Sequence, residues 1–238
     1  GEAALRLVGD ATANSFALMG DAEFLFLRGR AEMSAGDFAA AQKSLGKARQ
    51  LLAGEDGPLR VQADVDFALC LAHCGDPAAA REAISEAINA HVESGLCDLI
   101  MLANAEVLLA VRDPQRAIEV LKNVESGSAL FATAKRRMAE LYRDTLKQPA
   151  LATACLRELH ARQPRPENAV ELAHAFVQAQ EFEEALQLLG EGVGVALAVE
   201  CLTGLCRFDQ AEALLRQELR RDPSNASTAL ELVTLLNR

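Results

Sequence analysis

The chain has 238 residues, of which half are apolar and 24% are charged, a composition typical of a folded globular protein. Alanine accounts for 45 residues, and there are only ten aromatic residues and no tryptophan. Because alanine favours helices whereas aromatic and β-branched residues favour strands, the composition predicts an all-α fold and argues against a β-sandwich. The net charge of −10 argues against a strongly basic, nucleic-acid-binding surface.

Six short turn signals divide the chain, and each is followed by a helix with alanine at a corresponding place. These alanines are separated by 26 to 39 residues, close to the period of tandem helical hairpins. The turns are Gly36–Asp37, Gly75–Pro77, Asp113–Pro114, Gln148–Pro149, Glu181–Phe182 and Arg207–Phe208, and the alanines are Ala41, Ala80, Ala117, Ala152, Ala185 and Ala211.

The helix before most turns places a small residue beside a large one, with a further large residue three positions later, as in Met138-Ala139 and Tyr142. This pattern lets two helices approach closely and interlock. We therefore predict an all-α, right-handed superhelical solenoid of about six hairpins similar to tetratricopeptide repeats (TPR), plus a terminal helix, as a single domain over residues 1–238 and as a piece of a longer array. The expected hairpins are 22–55, 61–94, 98–130, 132–164, 166–191 and 193–224, with a partial hairpin at 226–238.

The seven prolines all avoid the predicted helix interiors. Pro77, Pro114 and Pro149 fit the first position of a helix, where a missing N–H is tolerated, and the other four are expected between hairpins. The uneven spacing of the alanines predicts a longer connection near residues 54–58 and a shortened one at 190–194. The latter contains three glycines but no following Lys-Ser/Thr, which indicates a tight turn rather than a phosphate loop.

Motifs for catalysis or metal binding are absent from the sequence. Cys70, His73 and Cys74 lie close together on one predicted helix, but structural zinc sites usually take four ligands from loops, so buried thiols are favoured. The six cysteines form no disulfide framework and indicate a reducing, cytoplasmic environment. No apolar run reaches the length of a membrane span. We predict no catalytic activity, no metal, no cofactor, no nucleic-acid binding and no membrane insertion; an enzyme with an atypical site is a second hypothesis.

The first helices of TPR hairpins line an inner groove, and here the groove positions are apolar. Leu102, Leu109 and Val170 are the groove residues that we predict to bind a partner. Val65 and Leu69 stand where TPR domains that grip a chaperone C-terminus use Lys and Asn, so that carboxylate clamp is missing. An apolar groove fits an amphipathic helix. The alternative is that these side chains pack against the adjacent hairpin.

The charges are distributed unevenly along the chain. Residues 55–106 contain ten acids and two bases, whereas residues 135–165 contain eight bases and three acids. Such asymmetry can orient a partner and accelerate its association, although a solvated surface is the alternative. We predict that Arg136, Arg137 and Arg143 form the polar part of a protein interface, with Arg136 and Arg143 on one helix face because they are seven residues apart.

Four segments resemble the central repeats of the tetratricopeptide repeat protein 21 family, the large TPR subunit of the intraflagellar transport A complex. They are Asp98–Asp113, Phe131–Arg143 with its Met-Ala-Glu-Leu-Tyr, Cys155–Leu159 and the Gln-Pro-Arg-Pro of 163–166. The resemblance covers residues 98–190.

This resemblance implies a non-catalytic scaffold in the cytoplasm and in cilia or flagella, acting in retrograde ciliary transport and cilium assembly. The implied partners are other intraflagellar transport A subunits and cargo. The alternative interpretation is a generic TPR adaptor or co-chaperone-like binding module outside cilia.

Overall fold

The computed structural model describes residues 6, 18, 20–55, 57–91, 95–189 and 194–236, and helical hairpins dominate from Ala22 onwards. These parts contain thirteen α-helices, one π-helical turn and no strand, which confirms the predicted all-α fold of repeated hairpins. The helices are α1 Ala22–Ser34, α2 Phe38–Leu51, α3 Pro58–His73, α4 Pro77–Ala90, α5 Cys97–Ala110, α6 Pro114–Lys122, α7 Phe131–Glu140, α8 Pro149–Arg162, α9 Pro166–Gln178, α10 Phe182–Leu188, α11 Val195–Gly204, α12 Phe208–Arg221 and α13 Ala226–Leu236, and the π-helical turn is Leu141–Thr145.

The chain forms two compact units, residues 1–134 and 135–238. The first unit holds the hairpins α1/α2, α3/α4 and α5/α6 together with the start of α7. The second holds the rest of α7, then α8, the hairpins α9/α10 and α11/α12, and α13. The continuous array over residues 1–238 stays a prediction.

Each hairpin turn that the structure describes contains one residue with a left-handed backbone. Gly36 has φ +83°, and the N–H of the following Asp37 donates to the carbonyl of Glu32, five residues back. This is the Schellman motif, which satisfies the last carbonyls of a helix and reverses the chain. The corresponding left-handed residues are Gly75, Arg112, Lys147, Gln180 and Cys206.

The same turns also start the next helix. The side chains of Asp37, Asp76 and Asp113 each accept a hydrogen bond from the backbone N–H three residues later, at 3.0 to 3.2 Å. The residue that closes one helix therefore caps the next. Pro58 and Pro166 occupy the first positions of α3 and α9, so our expectation that they lie between hairpins was wrong, because a proline is as well tolerated there as after the turns.

Small residues set the distance between paired helices. A Cβ added to Gly29 in α1 would lie 2.5 Å from Cγ of Leu45 in α2, so only a hydrogen fits there. The alanines predicted to mark the second helices are all buried, with at most 4% of their surface exposed, which confirms the predicted packing register. They are Ala41, Ala80, Ala117, Ala152, Ala185 and Ala211.

The fourth hairpin departs from the pattern by one residue. The α-helix ends at Glu140 and continues as the π-helical turn, and the N–H of Gln148 donates to the carbonyl of Tyr142, six residues back instead of five. The extra residue is absorbed in the wider turn.

The spacing between the last two alanines is short because α10 has only seven residues. The connection at 190–193, predicted to be a tight glycine turn, lies outside the described residues; Gly194, which follows it, has φ +65°. The longer connection predicted near residues 54–58 was wrong: six residues join α2 to α3, as many as join α4 to α5, and the wide spacing arises instead because α3 has 16 residues.

A buried carboxylate joins the first two hairpins. Asp64 of α3 is 1% exposed and accepts hydrogen bonds from Arg49 of α2, from Arg60 Nε at 2.8 Å, and lies 2.9 Å from Nε2 of His91. Burial alone raises the pKa of Asp64, but the hydrogen bonds from His91, Arg49 and Arg60 outweigh burial and hold the pKa below its usual value. The ionised carboxylate is therefore the form that stabilises this junction.

We expect Gly36→Ala to lower the free energy of unfolding by about 1–2 kcal/mol, since a Cβ is unfavourable at this left-handed φ. The added methyl would meet no atom within 4 Å, so the loss of stability would report the strained backbone conformation alone. Gly46→Ala in the middle of α2 is the matched control and should stabilise by about 0.5–1 kcal/mol. Urea unfolding monitored by circular dichroism measures both, and equal effects of the two variants would contradict the assigned turn.

We expect Asp64→Asn to lower the free energy of unfolding at pH 7 by about 1.5–3 kcal/mol, because the half-buried Arg49 and Arg60 lose their charged hydrogen-bond acceptor. A depressed pKa stabilises the fold above the ordinary carboxyl range, and this stabilisation is lost as the pH falls through the lowered value. Urea unfolding at decreasing pH should therefore show the two proteins converging in acid. Asp66→Asn, which removes a carboxyl whose pKa is raised by burial, is the control; a loss as large as that of Asp64→Asn would contradict the prediction.

Candidate protein-binding cleft

Arg136, the first of the three predicted interface arginines, ties two helices of the second unit together. Its Nε donates to Glu171 Oε2 and its Nη2 to Asn168 Oδ1, both at 2.6 Å, so α7 is bound to α9. Asn168 is 2% exposed and in turn donates to the carbonyl of Gln163 at 2.8 Å. The side chain of Arg136 is 38% exposed, and two of its hydrogen-bond donors serve the packing of α7 on α9.

Arg137 and Arg143 are exposed to a similar extent as Arg136, with 36% and 43% of their side chains accessible. Arg137 pairs with Glu140 at 3.0 Å on the same helix. Arg143 donates to both oxygens of its neighbour Asp144, at 2.9 and 3.1 Å. This hydrogen bonding raises the pKa of Arg143 and holds the pKa of the exposed Asp144 below its usual value.

The structure does not give Arg136 and Arg143 the common helix face inferred from their spacing. That inference required an unbroken α-helix, but α7 ends at Glu140 and Arg143 lies on the π-helical turn. Arg136 consequently contacts α9, whereas Arg143 lines a cleft formed with α8 and the C-terminal part of α9. Of the three arginines, only Arg143 lines this cleft.

The cleft has a volume of about 400 Å³ and a wall of small side chains. Two arginines and one carboxylate, that of Glu181, contribute its charges. We name it the arginine cleft, and its lining residues are Arg143, Pro149, Ala150, Ala152, Thr153, Leu156, Arg157, Ala175, Gln178, Ala179 and Glu181.

Arg157 is the residue of the cleft that the sequence did not single out. Its guanidinium carbon lies 5.4 Å from the centre of the Phe176 ring, a distance at which a cation and an aromatic face attract each other. Phe176 is 4% exposed, whereas Arg157 is exposed to solvent. The buried ring therefore supports the guanidinium from the side of the protein interior. Within the part of the chain that the structure describes, no carboxylate pairs with Arg157, which leaves its donors available for an anionic group.

In the sequence, Arg157 stood out only as one of the eight bases of residues 135–165 and as part of the family-like segment Cys155–Leu159. Its partner Phe176 lies nineteen positions further on, in another helix, so helical spacing could not connect them. The contact depends on the packing of α8 against α9.

The apolar candidates do not form one surface within either unit. Leu102 and Leu109 lie on α5 in the first unit and Val170 lies on α9 in the second, and all three are half-buried. Val170 Cγ2 lies 3.6 Å from the site where a Cβ on Gly194 would be, so it faces the start of α11. Val65, a clamp position, is 4% exposed and belongs to the core. The binding roles of Leu102, Leu109 and Val170 stay predictions.

The packing of α3 places the side chains of Cys70, His73 and Cys74 in three different surroundings. Cys70 is buried, which raises its pKa to about 12, Cys74 is exposed, and His73 stacks on Phe38 with 4.5 Å between ring centres. Among the described residues there is no group of three or more metal-binding side chains. None of the helices described is long and apolar enough to span a membrane.

Comparison with known families identifies this arrangement of hairpins. A family model described as the tetratricopeptide repeat protein 21 ARM repeat matches residues 16–159, which is more than half of the chain. The chain belongs to the tetratricopeptide repeat protein 21 family. The match begins well before residue 98, where the recognisable segments start, so the family likeness includes the first hairpins as well.

Relatives in the family are much longer than this chain. Tetratricopeptide repeat protein 21B of Mus musculus is 35% identical over 114 residues, which are 47% of this chain and 8% of the relative. The Xenopus laevis 21B protein is 27% identical over 197 residues, which are 66% of this chain and 15% of that protein. The chain thus spans about a tenth of the length of the curated relatives that it matches.

Solved structures confirm the TPR-type fold. The structure titled as Pseudomonas aeruginosa PilF superimposes with a TM-score of 0.53 at 18% identity, over 91% of this chain and 96% of that one. The C-terminal part of a TPR protein from Cytophaga hutchinsonii gives a TM-score of 0.56 at 11% identity, over 94% of this chain and 92% of that one. At such low identity the likeness concerns the fold alone.

We expect Arg136→Leu to lower the free energy of unfolding by about 1–3 kcal/mol, because it leaves the buried Asn168 oxygen without its donor. Arg137→Leu should change it by less than about 0.5 kcal/mol, since the ion pair of Arg137 with Glu140 lies within one helix and is open to solvent. Thermal unfolding of the two variants and of the unchanged chain measures both changes in stability. A neutral Arg136→Leu would show that this arginine is free for partners after all.

Proposed function

We propose that this chain is a non-catalytic protein-interaction scaffold of the intraflagellar transport A type, acting in retrograde ciliary transport and cilium assembly. Its membership of the tetratricopeptide repeat protein 21 family and its succession of helical hairpins support this function. Its partners in this proposal are other subunits of the transport complex and cargo proteins, and its location is the cytoplasm and the cilium or flagellum.

The observation that carries the binding proposal is the pair of arginines in the arginine cleft. Arg157 is oriented by Phe176 and has no carboxylate partner in the described chain, and Arg143 lies at the same cleft with its charge shared with Asp144. A guanidinium fixed in place loses little conformational freedom when it binds a carboxylate in a bidentate way. The cleft therefore suits an acidic segment of a partner protein.

The wall of the arginine cleft indicates which other side chains the partner segment would carry. Ala150, Ala175 and Ala179 occupy little space, and Leu156 adds an apolar surface beside them. A cleft of about 400 Å³ with such walls has room for apolar side chains next to the carboxylate. We infer that the partner segment alternates acidic and apolar residues on the face that it presents.

The co-chaperone alternative receives less support from the structure. Val65 is part of the apolar core and Leu69 packs beside it, so neither position offers the Lys or Asn with which a TPR groove grips a terminal carboxylate. The proposed acidic partner is instead bound on the second unit.

The test is binding to purified intraflagellar transport A complex that lacks its own tetratricopeptide repeat protein 21 subunit. The double variant Arg143→Glu/Arg157→Glu should weaken binding at least tenfold, about 1.4 kcal/mol, and flatten its dependence on salt, since the variant repels the acidic segment. Surface plasmon resonance at several salt concentrations measures both quantities.

Arg162→Glu is the matched control, because it reverses an exposed charge on the same helix α8 outside the cleft. It should leave the affinity within about twofold of the unchanged chain. If the double variant binds as tightly as the control, the arginine cleft is not the interface. If the unchanged chain fails to bind the complex at all, the scaffold function itself is contradicted.

A further inference from the structure

The arginine cleft contains a carboxylate as well as its two arginines. Glu181 lines the cleft from the turn between α9 and α10, where it is exposed. Its side chain makes no capping hydrogen bond to α10, whereas Asp37, Asp76 and Asp113 cap the helices that they precede. No basic side chain in the described part of the chain pairs with this carboxylate. Glu181 therefore presents a negative charge to the cleft that helix capping does not use.

The two arginines of the cleft differ in how their charges are balanced. Arg143 donates from Nε and Nη2 to both oxygens of Asp144, so a carboxylate of the chain itself balances its charge. Arg157 lies over the ring of Phe176 and has no carboxylate partner among the residues that the structure describes. The described residues therefore leave one positive charge, on Arg157, and one negative charge, on Glu181, unbalanced at the same cleft.

Phe176 contacts both of these charged residues. The guanidinium carbon of Arg157 lies 5.4 Å from the centre of its ring, and the backbone N–H of Glu181 donates to its carbonyl at 2.9 Å. Phe176 lies on α9 and is 4% exposed, so the interior of the second unit fixes its position. One buried residue therefore positions the guanidinium of Arg157 and the backbone from which the carboxylate of Glu181 extends.

A segment that is acidic throughout does not match this pair of opposite charges. One of its carboxylates would be attracted by Arg157, but a further carboxylate would be repelled by Glu181. A segment with one acidic and one basic residue satisfies both, because a lysine or arginine side chain can donate its N–H groups to the carboxylate of Glu181. The charges of the cleft are therefore complementary to a segment of mixed charge.

We propose that the partner segment in the arginine cleft carries an acidic residue that pairs with Arg157 and a basic residue that pairs with Glu181. This inference rests on the proposed function, since it specifies the segment that the same cleft binds. The basic residue is an addition to the acidic and apolar residues already inferred, and it fixes the direction of the segment, because the reverse direction brings like charges together. Glu181 thus acts as a specificity residue that rejects segments carrying acidic residues alone.

Charge reversal at Glu181 tests the inference, because the two kinds of partner segment predict changes of opposite sign. The assay is surface plasmon resonance with the purified intraflagellar transport A complex that lacks its own tetratricopeptide repeat protein 21 subunit. Glu181→Lys should weaken binding by about fivefold or more, since it repels the basic residue of the partner, and Glu181→Gln should weaken it by about two- to threefold, since it only removes the attraction. Tighter or unchanged binding of Glu181→Lys would overturn the inference and indicate a partner segment without the basic residue.

Glu184→Lys is the matched control, because it reverses an exposed carboxylate on α10 that does not line the cleft, and its affinity should stay within about twofold of the unchanged chain. A loss as large as that of Glu181→Lys would overturn the specific role of Glu181. Circular dichroism should show the same helix content in both variants, since the side chain of Glu181 caps no helix. Failure of the unchanged chain to bind the complex would contradict the scaffold function itself, whereas the sign of the Glu181→Lys effect decides the mixed-charge segment.

Discussion

The structure depends on one recurring constraint, the close reversal of a helix onto the next through a single left-handed residue. Five of the described turns close with the same pair of hydrogen bonds, and an alanine follows at the point where the helices meet. Because the turn has a fixed length, the alanine always arrives at the contact, and because alanine is small, the helices lie close enough to interlock. Gly29 shows the limit of this approach, since no side chain fits between α1 and α2 there.

Charged side chains take two roles within this frame. Asp64 and Arg136 lie where helices of successive hairpins meet, and each satisfies partners that would otherwise be buried alone. Arg157 is held by an aromatic ring rather than by a carboxylate, so its charge is oriented but not neutralised. The difference between a structural and an available arginine therefore lies in what holds it, and neither its residue type nor its exposure alone reveals that difference.

Local patterns predicted the fold, and tertiary contacts limited the prediction of the site. The alanines and turn residues follow from short-range spacing, so Ala41 and its counterparts were placed correctly. Arg143 lines the arginine cleft, but it was singled out through a helix face that the π-helical turn removes. Arg157 was passed over, because its support by Phe176 arises between helices that are distant in sequence. The apolar groove residues were inferred from generic repeat geometry, and Val65 shows that such a position can belong to the core instead.

The π-helical turn at Leu141–Thr145 determines how the hairpin accommodates an added residue. A repeat that acquires one additional codon within a helix would rotate every later side chain by about 100° if the helix stayed α-helical, and the alanine contact would be destroyed. Widening a single turn confines the additional residue to the end of the helix, so Ala152 still meets its neighbour. The extra residue is thus accommodated without altering the alanine contact, and it places Arg143 on the π-helical turn rather than on the face of α7.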